Sequence, residues 1–189
     1  MKKIIVLLIG LILLTGCSKE EYLTGKVNIE MDIKDYGVIK LELDADVAPI
    51  TVTNFVNLVN DKFYDGLTFH RIIDGFMIQG GDPEHNGLGG SSKTIKGEFA
   101  FNGVENNISH VKGVISMGRT GDDNNSASSQ FFIVEEDSTF LDGKYAAFGH
   151  VTEGIEIVEQ IAEDAIVEDD NGTVLYENQP VITSIKVVE

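Results

Sequence analysis

The sequence predicts a mainly β protein: a closed eight-stranded antiparallel barrel capped by two α-helices. Three observations lead there. Short segments alternate apolar and polar residues with a period of two. Only two segments carry the 3.6-residue apolar stripe of a helix. Turn signals rich in glycine separate them, and about eight strands with two helices favour a closed sheet whose ends are plugged by helices. The 189 residues, 42% of them hydrophobic, suit one domain with a sizeable core. No internal repeat is visible, and the domain is assigned to 26–189.

The elements follow in order. Lys26 to Ile33 places Val27, Ile29, Met31 and Ile33 on one face, and Val38 to Leu43 places Ile39, Leu41 and Leu43 inward. Tyr36-Gly37 marks the turn between them. Ala48-Pro49 opens the first helix, where a proline's missing N–H costs nothing. Its apolar stripe is Val52, Phe55, Val56 and Val59, and it ends within Asn60 to Gly66. Ile72-Ile73 and Phe76-Met77-Ile78 flank an Asp74-Gly75 turn and read as a hairpin. Gly80 to Gly97 reads as a long surface loop. Glu98 to Phe101 is expected as a short strand, followed by strands within Val111 to Met117, at Gln130 to Val134 and at Tyr145 to Phe148. Alternation puts Gln130 and Phe132 on one face and Phe131 and Ile133 on the other, as in a sheet with a core inside and a groove outside. Phe140 to Gly143 is a turn. Gly154 to Ala162 is the second helix, burying Ile155, Val158, Ile161 and Ala162. Asn171-Gly172 is a hairpin signal, and Val181 to Val187 is the last strand, with Val181, Thr183, Ile185 and Val187 on one face.

The N-terminus carries an address. Met1-Lys2-Lys3 precedes an 11-residue apolar run, Ile4 to Leu14, broken only by Gly10. This is too short to span a bilayer, which takes about 20 residues, and suits a signal-peptide core. Leu14-Thr15-Gly16-Cys17 then resembles the lipobox of bacterial lipoproteins, and Cys17 is the only cysteine in the chain. The resemblance implies a signal peptide at 1–16, cleavage before Cys17 and a diacylglyceryl group on its sulfur. Two acyl chains hold a membrane stably where one does not. Residues 17–25 become the acylated cysteine and a short polar tether. The expected location is the extracytoplasmic face of a bacterial membrane.

Charge excludes several partners. A net charge of −17 repels nucleic acid and anionic headgroups. The histidines at 70, 85, 110 and 150 show no HExxH spacing, and no CxxC is present, so neither a metal nor another cofactor is expected. Gly87-Leu88-Gly89-Gly90 lacks the Gly-Lys-Ser/Thr of a phosphate loop. The Thr120–Ser129 loop lacks the glycine and the twelfth-position glutamate of a calcium loop. Ser116 and His110 lack the local context of a nucleophile elbow.

One cation, Arg71, sits among the hydrophobes of the hairpin, and one amide, Gln79, follows its second run. Pattern alone leaves two readings: a side chain that snorkels to water, or a dry groove with one fixed donor. The residues Phe69-His70-Arg71-Ile72-Ile73, Gly75-Phe76-Met77-Ile78-Gln79-Gly80-Gly81-Asp82, Ser129-Gln130-Phe131-Phe132-Ile133, Phe140-Leu141-Asp142-Gly143-Lys144 and Phe148-Gly149 occur in one order. In that order they resemble the signature of the cyclophilins, the peptidyl-prolyl cis-trans isomerases, over roughly Val27 to Val188.

The resemblance implies an eight-stranded barrel with two helices and a monomeric isomerase of X–Pro bonds acting on proline-containing peptides and unfolded secreted proteins. It implies a catalytic set of Arg71, Phe76, Gln79 and Phe132, with Arg71 as the donor and Gln79 orienting Arg71 and the substrate backbone. Met77, Gly118, Arg119, Phe140, Leu141 and Tyr145 would bind substrate. Many family members carry tryptophan at the position of Phe140, histidine at Tyr145 and asparagine at Arg119. A non-catalytic module that captures proline segments is the alternative.

Overall fold

The computed structural model describes residues 21–189. The stretch expected to be a signal peptide (1–16), Cys17 and residues 18–20 lie outside the described residues. Residues ahead of the first strand are docked on the domain: the Leu23 N–H donates to Thr53 Oγ1 and the Gly25 N–H to Asp46 Oδ1, both at 2.8 Å.

Eight strands form one antiparallel sheet among the described residues: β1 (Lys26–Ile33), β2 (Gly37–Asp44), β3 (Phe69–Ile73), β4 (Met77–Gly80), β5 (Val114–Met117), β6 (Phe131–Val134), β7 (Ala147–Glu153) and β8 (Ile182–Val188). Their spatial order is β3-β4-β6-β5-β7-β2-β1-β8. The helices are α1 (Pro49–Asn60) and α2 (Ile155–Asp164).

The sheet curls, but its closure is only partial, unlike the closed barrel expected. The ends meet through a single bridge, Thr68 with Val181, where the Phe69 N–H donates to the Pro180 carbonyl (3.0 Å) and the Ile182 N–H to that of Leu67 (2.8 Å). The free edge of β3 is covered instead by the 171–174 segment. The Ile72 N–H donates to the Gly172 carbonyl (2.8 Å) and the Val174 N–H to that of His70 (3.0 Å). Gly172 has φ +79°, and a Cβ there would lie 2.2 Å from the Ile72 carbonyl oxygen. Only glycine lets this segment approach so closely. The expected Asn171-Gly172 hairpin is thus a short loop with one bridge, Val167 to Val174.

Inside the curl, α1 presents Val52, Phe55, Val56 and Val59 and α2 presents Val158, Ile161 and Ala162 to the strands' inner faces. Phe55 touches Tyr64, Phe131 and Phe148, with ring centroids 5.0–5.6 Å apart. Such pairs add to the burial energy of each ring.

Three local expectations are corrected. Glu98 to Phe101 is not a strand; a 3-10 turn occupies Ala100–Asn102. Glu98 is buried because its carboxylate accepts the N–H groups of Ile50 (3.1 Å) and Thr51 (2.8 Å) and the Thr51 hydroxyl (2.7 Å). The N-cap residue of α1, Ala48, offers no side-chain acceptor, so an anion 47 residues away caps the helix and meets its positive end. Second, β7 begins at Ala147 and runs to Glu153 rather than spanning Tyr145 to Phe148. Gly149 looks like a breaker, yet a Cβ there would lie 2.6 Å from the Glu42 carbonyl oxygen, so its bareness permits close packing on β2. Third, the inward residues of β8 are Ile182 and Ile185 rather than the 181-183-185-187 set. The register shifts where Ile33 pairs with Ile182 and Asp32 with Ser184, which leaves Thr183 as the extra, exposed residue of a bulge.

Candidate active site

The outer faces of β3, β4, β5 and β6 carry a second apolar cluster, separate from the interior: Met77, Val114, Phe132, Val134, Leu141 and Ala147, with Phe76 and Tyr145 packed against it. Antiparallel pairing sets Arg71 opposite Gln79 and Gln79 opposite Phe132, so cation, amide and ring stand in a row across three strands. A cleft of about 330 Å³ opens above them. Its lining is Arg71, Phe76, Met77, Gln79, Gly118, Arg119, Phe132, Phe140, Leu141 and Tyr145, the same ten residues that the sequence nominated.

Met77, Phe132 and Leu141 are buried and form the floor. Phe140 is 61% exposed and leans over the rim against Phe76, with centroids 5.6 Å apart. The Tyr145 ring meets Phe132 edge-on at 5.8 Å.

The Arg71 guanidinium turns into this cleft and does not snorkel away from it. Nη1 lies 3.9 Å from Met77 Sδ and donates to Gln79 Oε1 at 3.3 Å. Nε donates to the Asn171 carbonyl (2.8 Å) and to Asn171 Oδ1 (3.3 Å). Nη2 makes no hydrogen bond to the described residues. Burial pulls the guanidinium below its usual pKa, opposed by Tyr145 and Asp169; an arginine so placed stays charged at neutral pH.

Gln79 is held in turn. Its Nε2 donates to Gln130 Oε1 (2.8 Å), and Gln130 Nε2 donates to the carbonyls of Gly87 (3.0 Å) and Gly89 (2.8 Å). The glycine loop that supplies those carbonyls wraps an anion, as phosphate loops do, but the anion is the chain's own buried Asp82. Its carboxylate accepts the N–H groups of Glu84 (2.8 Å), Asn86 (3.1 Å) and Gly87 (2.6 Å). Burial alone would raise the Asp82 pKa; the backbone donors outweigh it and hold the carboxyl below its usual range.

Behind Phe132 lies an arrangement that sequence reading missed. Asp142 Oδ1 is 2.9 Å from His110 Nδ1, and His110 Nε2 is 3.0 Å from Ser116 Oγ. The connectivity is that of a hydrolase triad. Ser116, however, is fully buried, and the His110 ring stacks on Phe132 with centroids 6.0 Å apart and planes 17° from parallel. No substrate reaches that hydroxyl, so the chain of bonds acts as a brace for Phe132. Burial holds the His110 imidazole below its usual pKa, opposed by Asp142. Burial would raise Asp142, but the His110 N–H, the Ser109 hydroxyl and the His110 ring keep it low. Neutral imidazole therefore donates from Nδ1 to the carboxylate and accepts the Ser116 hydroxyl at Nε2. Sequence reading considered Ser116 and His110 only as a nucleophile pair and set them aside; what it did not join to them was Asp142, within the Phe-Leu-Asp-Gly block.

Comparisons with known proteins agree with this geometry. A family model described as "Cyclophilin type peptidyl-prolyl cis-trans isomerase/CLD" matches residues 27–187. Peptidyl-prolyl cis-trans isomerase B of Bacillus subtilis (strain 168) is 42% identical over 137 residues, covering 72% of this chain and 92% of that protein. A peptidyl-prolyl cis-trans isomerase of Helicobacter pylori (strain ATCC 700392 / 26695) is 40% identical over 153 residues, covering 80% and 86%. The crystal structure of a Cryptosporidium parvum cyclophilin type peptidyl-prolyl cis-trans isomerase superposes with a TM-score of 0.77 at 27% identity, covering 87% of this chain and 99% of that one. The same protein in the presence of the dipeptide Ala-Pro gives a TM-score of 0.75. With the matched residues spanning the whole curled sheet and its cleft, the chain belongs to the cyclophilin-type peptidyl-prolyl cis-trans isomerase family.

Proposed function

We propose that this chain is a peptidyl-prolyl cis-trans isomerase that acts on exported proteins from a lipid anchor at Cys17 on the extracytoplasmic membrane face. The observation that carries the activity is the permanent cation Arg71, held at Nε by Asn171 and at Nη1 by Gln79 in a cleft floored by apolar side chains, with Nη2 unbonded to the described residues.

Rotation about an X–Pro bond breaks amide resonance against a barrier of about 18–20 kcal/mol. No bond to carbon forms or breaks, so the reaction needs a site that fits the twisted amide better than either planar form. The Phe132, Met77 and Leu141 floor takes the proline ring and excludes water. In the twisted state the proline nitrogen regains its lone pair, and the free Nη2 of Arg71 can donate to it or to the carbonyl oxygen. Raising the rate from ~0.01 to ~1000 per second takes roughly 7 kcal/mol. A charge-assisted hydrogen bond supplies ~1.5–3 kcal/mol net, so desolvation and orientation in the cleft supply the rest. Gln79 positions Arg71 rather than touching the reacting atoms itself, since one end of its amide meets Arg71 and the other Gln130.

The anchor reading rests on the lipobox resemblance and on the short tether. From Leu23 back to Cys17 the chain can span at most ~20 Å, so the cleft would work close to the bilayer, where emerging chains still hold unisomerised prolines.

The test uses the full chain in detergent micelles. At substoichiometric protein, cis and trans NMR signals of an Ala-Pro peptide should broaden by exchange, and Arg71→Ala should lower kcat/KM about 100-fold. Undiminished turnover in the variant refutes the role of Arg71; binding without exchange shows the non-catalytic module instead. For the anchor, detergent phase separation should carry the protein expressed in a lipoprotein-processing bacterium into the micellar phase and leave Cys17→Ser in the aqueous phase. Equal partitioning of the two rejects it.

A further inference from the structure

The chain has two arginines, Arg71 and Arg119, and both line the same cleft. They differ in kind from the lysines Lys26, Lys40 and Lys112, each of which pairs with a carboxylate. Among the described residues neither arginine has a carboxylate within ion-pair distance. Arg119 is nonetheless a built feature. Its Nε donates to the Lys144 carbonyl at 2.9 Å and its Nη1 to the Thr120 carbonyl at 2.7 Å. Its guanidinium carbon lies 4.9 Å from the centre of the Tyr145 ring and 5.3 Å from that of Phe99. Carbonyls and aromatic faces hold the group in one place without cancelling its charge. As with Arg71, Nη2 makes no hydrogen bond to the described residues.

Next to the proline cleft lies a second one, of about 390 Å³, which shares Gln79, Gly118 and Arg119 with it. Its remaining walls are glycine-loop backbone and the hydroxyl residues Thr120, Ser126 and Ser128, with Gln130 at the seam. The sequence has 31 acidic residues, and none of those among the described residues lines either cleft. A peptide whose proline sits on Phe132 and whose backbone crosses Gly118 must pass the Arg119 fork. Resting on the isomerase reading above, we infer that Arg119 is a specificity-determining residue and that the preferred substrates carry an acidic side chain within two residues of the proline, its carboxylate received by the open face of Arg119. An arginine fork anchored from behind needs little further ordering to accept a carboxylate, and the acid-free lining leaves that charge to the substrate.

The experiment compares isosteres, so that only charge changes. Peptides carry Glu or Gln at one of the four positions within two residues of a central proline. Exchange is measured with the full chain in detergent micelles, as wild type, Arg119→Gln and Arg119→Lys. In the wild type one position should favour Glu over Gln roughly three- to fivefold in kcat/KM, and 1 M salt, with a screening length of ~3 Å, should pull that ratio towards one. Arg119→Gln should abolish the ratio at that position, whatever it does to the Gln peptides, while Arg119→Lys keeps part of it. A purely structural role for Arg119 would change Glu and Gln peptides alike. A wild-type ratio of one or less at every position overturns the proposal, as does a ratio that survives Arg119→Gln. If no peptide is turned over, the isomerase reading fails, and the same Glu-to-Gln ratio read from peptide dissociation constants still decides the role of Arg119.

Discussion

Phe131 and Phe132 are neighbours in the chain and both buried, yet they serve opposite sides of one sheet. Phe131 points inward among Phe55, Tyr64 and Phe69, with ring centroids 5.6–6.0 Å away. Apolar neighbours enclose it. Phe132 points outward and lies on a histidine held by an aspartate and a serine, with Tyr145 at its edge and the cleft above. Apolar packing alone suffices for the inner ring. The outer one must hold its position at the floor of a cleft, where it has fewer apolar neighbours to fix it. Directional bonds behind it supply the rigidity that packing from both sides supplies within.

Substitutions should separate the two regions. The largest effect is expected from Phe55→Ala, which opens a cavity in the interior and should cost about 3–5 kcal/mol of stability. Chemical denaturation measures that loss, while kcat/KM per folded molecule should stay within about twofold of wild type. A large loss of turnover in the folded fraction would show that the interior and the cleft are not separable. Phe132→Ala comes next. It should cost about 3 kcal/mol, the low end for a buried phenylalanine, because its ring belongs to the smaller apolar cluster and borders the cleft, and it should lower kcat/KM at least ~10-fold, read by the same exchange measurement. If turnover survives, the floor of the cleft does not rely on this ring.

The smallest effect is expected from pH. Burial holds both His110 and His70 below the usual histidine pKa, and the His70 ring nitrogens have no hydrogen-bond partner among the described residues. The unfolded chain therefore binds these protons at a higher pH than the folded one. Their contribution to stability is complete above about pH 6.5 and declines as the pH falls from there towards the depressed folded values. Urea unfolding midpoints should drop between pH 7.5 and 5.5, and His70→Leu should flatten the slope. A midpoint that rises on acidification over this range would reverse the assignment.

Much of this was legible in advance, for a local reason. Alternation assigns each strand residue to a face without knowledge of the partner strand, so the inward sets of β1 and β2 and the pair Phe131 and Phe132 were readable from spacing. The ten cleft residues came from the family resemblance; seven of them lie in its blocks, and Gly118, Arg119 and Tyr145 lie between those blocks. The errors fell where a residue's role is set at a distance. Gly149 breaks nothing, because β2 approaches it. Thr183 interrupts an alternation only because β1 takes it up as a bulge.

By itself the sequence determined which residues face outward and that one cation lies among them, since a period of two and a count of charges are properties of the chain alone. Only the tertiary structure decided where that cation points. The Asn171 oxygens, 100 residues away, hold the Arg71 Nε; Glu98 caps a helix 47 residues before it; Asp142 and Ser116 clamp His110 beneath Phe132. A hydrogen bond requires its two atoms within about 3 Å and in line. Folding brings such distant groups together, and no periodicity in the chain records where they will meet.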